Sequence, residues 1–195
     1  NVTFGSAGST ANTYTQNLDK DIYAQNTYIG NGTNKTILDM KDDVKFDGSL
    51  TVRANSLLDV NTHDIKVTEN LALAANSLTG FKVYTSDITA SGSSANVPSG
   101  SITTNTLTID NNAIIKVNYE GTLYGAGSYT LISANSVSGT YLGTEANGKV
   151  SDNSIIDSII KVDGNNLILF ADRTGAGSYA VEDLYIKKSE IGQHY

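Results

Sequence analysis

A short pattern, Asn-Ser followed by an aliphatic residue, recurs along this chain and constrains its fold more than any other feature. It starts at Asn55, Asn76, Asn135 and Asn153, and Asn112-Ala113-Ile114 is a variant of it. Successive copies begin 21, 36, 23 and 18 residues apart, and each adjoins a short run of Leu, Ile or Val. Imperfect recurrence at about 20 residues is typical of proteins in which one small structural unit stacks on the next.

The apolar runs between these copies have the period of a β-strand. Val44-Lys45-Phe46 and Ile65-Lys66-Val67 alternate apolar and polar residues, which places one side of the strand in a core and the other in solvent. Three such strands fill about 21 residues. An antiparallel sandwich would instead have longer strands with turns every 8–12 residues or so. The pattern therefore predicts an all-β chain folded as a right-handed parallel β-helix with three faces.

The repeats divide the chain into three predicted segments. Residues 1–27 are polar and are expected to form an edge or an incomplete coil, and 28–120 are expected to form the coils of a stem. A loop is predicted at about 84–106, where the apolar rhythm is lost, and 121–195 are expected to form a C-terminal cap. Local hairpins are predicted at Asn31-Gly32, Asp47-Gly48 and Asp163-Gly164, and one helix at 182–191.

Asparagine has a specific role in this prediction. Its side chain bonds readily to neighbouring backbone groups, and it tolerates the positive φ of a tight turn. We therefore expect the Asn-Ser pairs to lie at turns, each bonded to the equivalent Asn of the next coil. Columns of Leu, Ile and Val would fill the interior between those turns.

The composition excludes several classes of function. The net charge is −7 and the longest cationic run is Lys187-Lys188, so nucleic acid is not an expected partner. Cysteine is absent and no apolar stretch approaches the 18 residues or so of a membrane helix. The chain starts at Asn1 without an initiator Met, and we expect it to be part of a longer protein.

A segment near residue 130 resembles the C-terminal end of bacterial autotransporter passenger domains, which leave the cell by type V secretion. In that family a Gly-x-Tyr-x-Leu-Ile strand precedes a Gly-x-aromatic turn. The residues that match are Gly127, Tyr129, Leu131, Ile132, Gly139 and Tyr141. The resemblance covers about residues 28–172 and implies a parallel β-helix whose C-terminal cap, the autochaperone, folds first and templates the earlier coils.

The same resemblance implies a non-enzymatic stem and folding cap of a secreted surface protein, an adhesin or a self-association factor. Its location would be the bacterial surface or the medium, after passage through the periplasm and the outer membrane. Its partners would be a surface protein or glycan of a host or bacterial cell, further copies of itself, and a C-terminal membrane β-barrel in the precursor. The alternatives are a β-helical polysaccharide lyase or hydrolase and a surface-layer component.

No catalytic, cofactor-binding or metal-ligating residue is predicted. His63 and His194 have no partner at a metal-ligand spacing, and no nucleophile loop is present. An acidic cluster of Asp39, Asp42, Asp43 and Asp47 has no calcium-loop spacing and is expected to solvate the surface. No catalytic partner can be assigned from the sequence to the other acids, Asp59, Asp64, Asp110 and Glu120.

The tyrosines fall into two predicted groups. An exposed adhesive row could be formed by Tyr14, Tyr23 and Tyr28. The core is the expected place of Tyr119, Tyr124, Tyr129 and Tyr141.

Overall fold

The computed structural model describes residues 1–5, 13–90 and 98–174, and over these residues the protein is almost entirely β. A 3-10 turn spans Thr85–Asp87. The strands are β1 (Val2–Phe4), β2 (Tyr14–Leu18), β3 (Ile22–Ile29), β4 (Thr36–Met40), β5 (Val44–Val52), β6 (Leu57–Asp59), β7 (Asp64–Leu73), β8 (Leu78–Tyr84), β9 (Ser101–Ile109), β10 (Ile114–Glu120), β11 (Gly127–Ser133), β12 (Ser136–Ser138), β13 (Leu142–Thr144), β14 (Ile156–Asp163) and β15 (Asn166–Arg173). The predicted all-β class is confirmed.

The strands form two sheets, and the chain alternates between them from β1 to β10. The large sheet has the order β1-β3-β5-β7-β9-β11-β15-β14-β13, with β12 beside β9. The small sheet has the order β2-β4-β6-β8-β10. Every pairing among β1 to β10 is parallel. Neighbours within a sheet therefore come from successive repeats of the sequence, and each repeat contributes to both sheets.

The register of the small sheet reproduces the spacing of the Asn-Ser pattern. Leu57 pairs with Leu78, and Leu78 pairs with Ile114. These offsets of 21 and 36 residues equal the distances from Asn55 to Asn76 and from Asn76 to Asn112. The longer offset accommodates the connection between β8 and β9. The recurrence in the sequence is thus the offset between neighbouring parallel strands.

The core is made of columns of side chains that lie in register. In the large sheet Leu50 pairs with Leu71, which pairs with Leu107, and all three are 0% exposed. In the small sheet Leu38 and Leu58 form the equivalent column, continued by Thr79 and Ile115. Full burial of an aliphatic side chain contributes about 1.5–3 kcal/mol, and in these columns it depends on the strands to either side.

Three of the Asn-Ser copies form one corner of the fold, as predicted. Asn55 and Asn76 have positive φ angles of 66° and 62°. The backbone N–H of Asn55 donates to the carbonyl of Asn76, and that of Asn76 donates to the carbonyl of Asn112, each at 3.0 Å. Ser56 and Ser77 follow and are 0% exposed. Asparagine satisfies both demands of this corner, the left-handed backbone and the exposed side chain.

The other two copies lie elsewhere. Asn135 bonds to an Asn of the neighbouring strand β9, as expected, since its side chain donates to that of Asn105 at 3.0 Å and its N–H donates to the carbonyl of Asn105 at 2.9 Å. The expectation of a contact between two Asn residues was wrong for Asn153. Asn153 caps a turn through its side-chain oxygen, which accepts the N–H groups of Ile155 and Ile156. Beyond the pairing of β8 with β10, the small sheet is continued among the described residues by a single parallel bridge between Ile115 and Val150.

The predicted loop at 84–106 is too long at its C-terminal end. β9 begins at Ser101, and Ile102 and Thr104 point inward on it with exposed fractions of 1% and 4%. The strand was missed because its inward positions include Thr, which weakens the apolar alternation. Residues 91–97 of the predicted loop lie outside the described residues, and strands are already present before residue 28.

One of the three predicted hairpins is present. β14 and β15 are antiparallel and are joined at Gly164, whose φ is 60°. β5 runs straight through Asp47-Gly48, where a β-carbon on Gly48 would lie 2.0 Å from the carbonyl oxygen of Ala24 in β3. Asn31-Gly32 joins β3 to β4, which belong to different sheets. The predicted helix at 182–191 lies outside the described residues.

Candidate functional site

The six residues expected in the cap lie where the large sheet changes from parallel to antiparallel pairing. Gly127, Tyr129, Leu131 and Ile132 are in β11, and Gly139 and Tyr141 lie between β12 and β13. β11 is parallel to β9 at Ile132 and antiparallel to β15 over Gly127–Ser133. Leu131 and Ile132 are 0% exposed. β11 therefore ends the parallel part of the large sheet and starts the antiparallel part.

Two buried tyrosines tie this region to the parallel strands. The hydroxyl of Tyr129 lies 2.9 Å from the carbonyl oxygen of Gly100, and that of Tyr141 lies 2.8 Å from the carbonyl oxygen of Ala113. Burial raises the pKa of both phenols well above the ordinary value, so both act as neutral donors. Each hydrogen bond crosses from the antiparallel region to a turn next to β9 or β10.

The contact between Tyr129 and Gly100 lies next to a buried polar pair, Asp87 and Ser99, which the sequence analysis did not identify. The hydroxyl of Ser99 bonds to the carboxylate of Asp87 and accepts the N–H of Tyr84 at 2.8 Å. Asp87 and Ser99 are 6% and 0% exposed. They stand on the two sides of the β8–β9 connection and hold its ends together. The pair gives no signal in the sequence, because its members are 12 residues apart within a polar segment.

The two glycines of the pattern allow close backbone approach. A β-carbon on Gly127 would lie 3.0 Å from main-chain atoms of Ile88 and Thr89. Gly139 has a φ of 121°, and a β-carbon there would lie 2.4 Å from the carbonyl oxygen of Ile109. A larger residue at Gly139 would therefore be disfavoured both by backbone conformation and by contact with β9.

The exposed tyrosines do not form the predicted row. Tyr23 and Tyr28 both lie on β3 of the large sheet, but Tyr14 is on β2 of the small sheet. Lys45 lies 5.2 Å from the ring centre of Tyr23, and Arg53 lies 4.0 Å from that of Tyr28. Tyr124, expected in the core, is 83% exposed, because its segment from Gly121 to Ala126 has no strand pairing. Tyr119 packs against the core with its ring partly buried.

One group of side chains has the composition of a metal site. Asp42, Asp43 and His63 offer ligand atoms that all lie within 4.8 Å of one another. Both carboxylates are exposed, and His63 Nδ1 lies 3.6 Å from an oxygen of Asp43. The backbone N–H of Asp64 donates to the same Asp43 oxygen at 2.9 Å. The structure thus brings His63 next to part of the acidic cluster, a proximity that the sequence did not indicate.

A second acidic group lies between the C-terminal strands. Asp157 and Asp172 face each other across the β14–β15 pair. Burial raises the pKa of Asp172, and Asp157 adds to this effect. Burial, followed by the charges of Asp152 and Asp157, also raises the pKa of Glu145. These acids disfavour one another's charged forms.

Three of the remaining acids that lacked a partner in sequence have one in the structure, whereas Asp59 lies beside another acid, Asp39, in the small sheet. Glu120 forms an ion pair with Lys82 at 2.9 Å. Asp64 accepts the hydroxyl of Ser101, and Asp110 accepts the N–H of Asn112. Two open clefts lie on the described surface, one beside Tyr124 and one beside Asp110, and neither is lined by a pair of carboxylates.

Comparison of the chain with protein-family models, curated proteins and solved structures gives no match. In the part of the chain that the structure describes, no helix has the length and hydrophobicity needed to span a membrane.

Proposed function

We propose that this chain is the stem and folding cap of a secreted bacterial surface protein of the autotransporter type, without enzymatic activity. The stem would be a three-faced parallel β-helix. The alternation of strands between two parallel sheets supports this. The register of the large sheet supports it as well, because β7 pairs with β9 in two separate runs, with a break between Val67 and Asn70 that would mark the edge between two faces. A right-handed path follows from the strong preference of parallel crossovers for that hand.

The double pairing of β11 carries the proposal. A stack of parallel strands leaves an unpaired edge at its end, and such an edge would recruit further strands. Here β11 covers part of that edge by pairing with β9, and on its other side β11 pairs with β15 of the antiparallel hairpin β14–β15. The residues that resemble the autochaperone of the family lie at this junction. A region that ends a stack in this way is suited to fold first and to offer a template to the strands before it.

The order of folding tests the proposal. Leu131→Ala in β11 and Leu50→Ala in β5 each remove side-chain atoms from a fully buried position, at a cost of about 2–5 kcal/mol. If the cap nucleates folding, Leu131→Ala slows refolding, whereas Leu50→Ala mainly accelerates unfolding. Stopped-flow refolding and unfolding over a range of denaturant concentrations measures both rates. Equal slowing of refolding by the two variants would count against the cap as nucleus.

On this proposal the protein is displayed at the cell surface or released, and acts as an adhesin or a self-association factor. The polar outer side of the large sheet and the exposed Tyr23 and Tyr124 are the surfaces available for a protein or glycan partner. A membrane β-barrel would follow in the precursor. Sequencing of the full-length gene tests this part directly, and an intact precursor without a barrel would contradict it.

A further inference from the structure

Four of the five strands of the small sheet, β4, β6, β8 and β10, carry an aliphatic residue on the outer face as well as in the core, whereas β2 has Thr15 at the equivalent outer position. Its strands carry adjacent apolar pairs, such as Ile37-Leu38 and Leu57-Leu58, and neighbouring residues of a strand point to opposite faces. The second member of each pair lies in the core. The first member lies outside, and these residues form one column in register, namely Ile37, Leu57, Leu78 and Ile114. Their side chains are partly exposed.

The outer face of the large sheet has a different character. Lys45 pairs with Lys66, and Thr51 pairs with Ala72, which pairs with Thr108. Four of these five residues are polar or charged. The same stack of strands therefore has a water-compatible face on one sheet and an aliphatic column on the other. A strand sequence that is apolar on both sides is typical of a sheet covered on both faces.

A second column on the small sheet carries opposite charges on β4 and β10. It lies two residues further along each strand and consists of Asn17, Asp39, Asp59, Gly80 and Lys116, in that order. Lys116 is exposed and forms no salt bridge among the described residues. Asp39 bonds to Lys41 at 2.8 Å, and Asp59 lies beside this pair without a salt bridge of its own among the described residues. The outer face thus has carboxylates on β4 and β6 and a lysine on β10.

We propose that this face binds the same face of a second copy of the chain through a two-fold axis parallel to the strands. Such an axis reverses the order of the strands, so Ile37 meets the Ile114 position of the other copy and Leu57 meets the Leu78 position. Asp39 then faces Lys116, and Asp59 faces Gly80, which has no side chain to obstruct it. This inference deepens the self-association part of the proposed function by naming the surface and the orientation.

Reversal of the strand order is what makes the charges complementary. If the strands of the two copies met in the same order, through a two-fold axis perpendicular to the strands and level with the charged column, Asp39 would face Asp39 and Lys116 would face Lys116. The residues that flank these columns on β4 and β6 lie outside the strands, so the register of the sheet does not fix their partners.

The size of the face predicts a weak complex. Four side chains on strands about 4.8 Å apart form a column about 14 Å long. A stable interface buries about 800 Å² on each partner, which this column and its flanks do not reach. We therefore expect a dissociation constant between about 10 µM and 1 mM, in the range of transient contacts. An array of chains at high local density would strengthen such contacts through multivalency.

The aliphatic part is tested with purified protein by sedimentation equilibrium from about 10 µM to about 1 mM. The wild type should show a monomer–dimer equilibrium, and Leu57→Asp with Leu78→Asp should weaken it at least about a hundredfold, because it buries unpaired charge. The matched control is Ala72→Asp with Thr108→Asp, which adds the same charge to two neighbouring strands on the outer face of the large sheet. It should leave the dissociation constant within about twofold.

The orientation is tested by reversing charges. Lys116→Asp sets two negative groups against each other and should weaken association about three- to tenfold, whereas Lys66→Asp on the large sheet should not. Lys116→Asp combined with Asp39→Lys should restore it. If circular dichroism shows that Asp39→Lys disturbs the fold, Asp39→Asn with Lys116→Asp removes the repulsion instead. Failure of both combinations to restore association would overturn the arrangement with reversed strand order.

Other outcomes are equally decisive. A wild-type chain that stays monomeric over the whole concentration range overturns the proposal, as does a dimer that the small-sheet leucine variants do not weaken. Loss of association in the large-sheet control would place the contact on the opposite face. These outcomes leave the folding-order test of Leu131 and Leu50 unaffected, so failure of this inference is distinguishable from failure of the proposed stem and cap.

Discussion

The hydroxyl group of Tyr141 donates a hydrogen bond of 2.8 Å to the main-chain oxygen of Ala113, 28 residues earlier in the chain. Ala113 occupies the place that Ser56 and Ser77 take in the preceding Asn-Ser copies, and like them it is fully buried. The same hydroxyl lies 2.9 Å from the main-chain oxygen of Lys149. Tyr141 therefore joins the last Asn corner of the parallel strands to the antiparallel C-terminal region.

Replacement of this tyrosine tests the importance of the junction. Tyr141→Phe keeps the ring in the core but leaves the buried carbonyl oxygen of Ala113 without this donor, while that of Lys149 still accepts the N–H of Ile115. We expect it to lower the free energy of unfolding by about 1–2 kcal/mol, measured by guanidinium chloride denaturation. Tyr124→Phe is the matched control, because that ring is 83% exposed, and it should change stability by less than about 0.5 kcal/mol. Equal effects would indicate that the hydroxyl of Tyr141 contributes nothing specific.

The glycine of the following turn makes a second, steric prediction. At Gly139 a β-carbon would lie 2.4 Å from the carbonyl oxygen of Ile109, and the φ of 121° disfavours any larger residue. Gly139→Ala should therefore destabilise the protein by about 1–3 kcal/mol in the same denaturation experiment. Gly125→Ala has no atom within 4 Å of the added carbon and should be nearly neutral. A neutral Gly139→Ala would show that β12 and β13 can shift away from β9.

At the Asn corner we predict that glycine replaces Asn76 with less loss of stability than alanine does. Asn76 has a φ of 62°, so Asn76→Gly should be tolerated, whereas Asn76→Ala should cost about 1–2 kcal/mol. At Asn112, which follows in the same corner without a positive φ, alanine should be the less harmful of the two substitutions. Thermal melts of the four variants provide the comparison. The same rank order at both positions would mean that side-chain bonds, not backbone conformation, select Asn76.

The parallel pairing could be predicted from the sequence because chemically similar residues recur at the same distance that separates paired residues of neighbouring strands. Asn55, Asn76 and Asn112 repeat at the offset between neighbouring strands, since the same corner, joined by main-chain hydrogen bonds between these residues, recurs in each repeat. The alternation around Lys45 and Lys66 gave the strand period for the same reason. The buried residues of β11, such as Leu131, were identified through a resemblance and not from periodicity.

Other features could not be predicted, because they depend on which distant segments meet. Tyr124 and Tyr129 are equally aromatic, and only strand pairing decides that one is exposed and the other buried. The proximity of His63 to Asp43 arises because each directly precedes one of the paired strands β5 and β7. The aliphatic column of the small sheet did have a signal, the doubled apolar residues Ile37-Leu38 and Leu57-Leu58. That signal shows a two-sided strand but not which face is covered by the core.

The charged column of the small sheet makes the last prediction, a dependence of stability on pH. Burial, and then the nearby charge of Asp39, raise the pKa of Asp59. A carboxyl group whose pKa is higher in the folded chain than in the unfolded chain stabilises the fold as the pH falls through the raised value, and this gain is complete below the unfolded value of about 4. Asp59→Asn should therefore be more stable than the wild type at pH 7 and lose that advantage by about pH 3. Urea denaturation of dilute protein at both pH values measures this, with the exposed Asp19→Asn as control. An advantage that persists unchanged at low pH would show that the carboxylate of Asp59 is not destabilised by its surroundings.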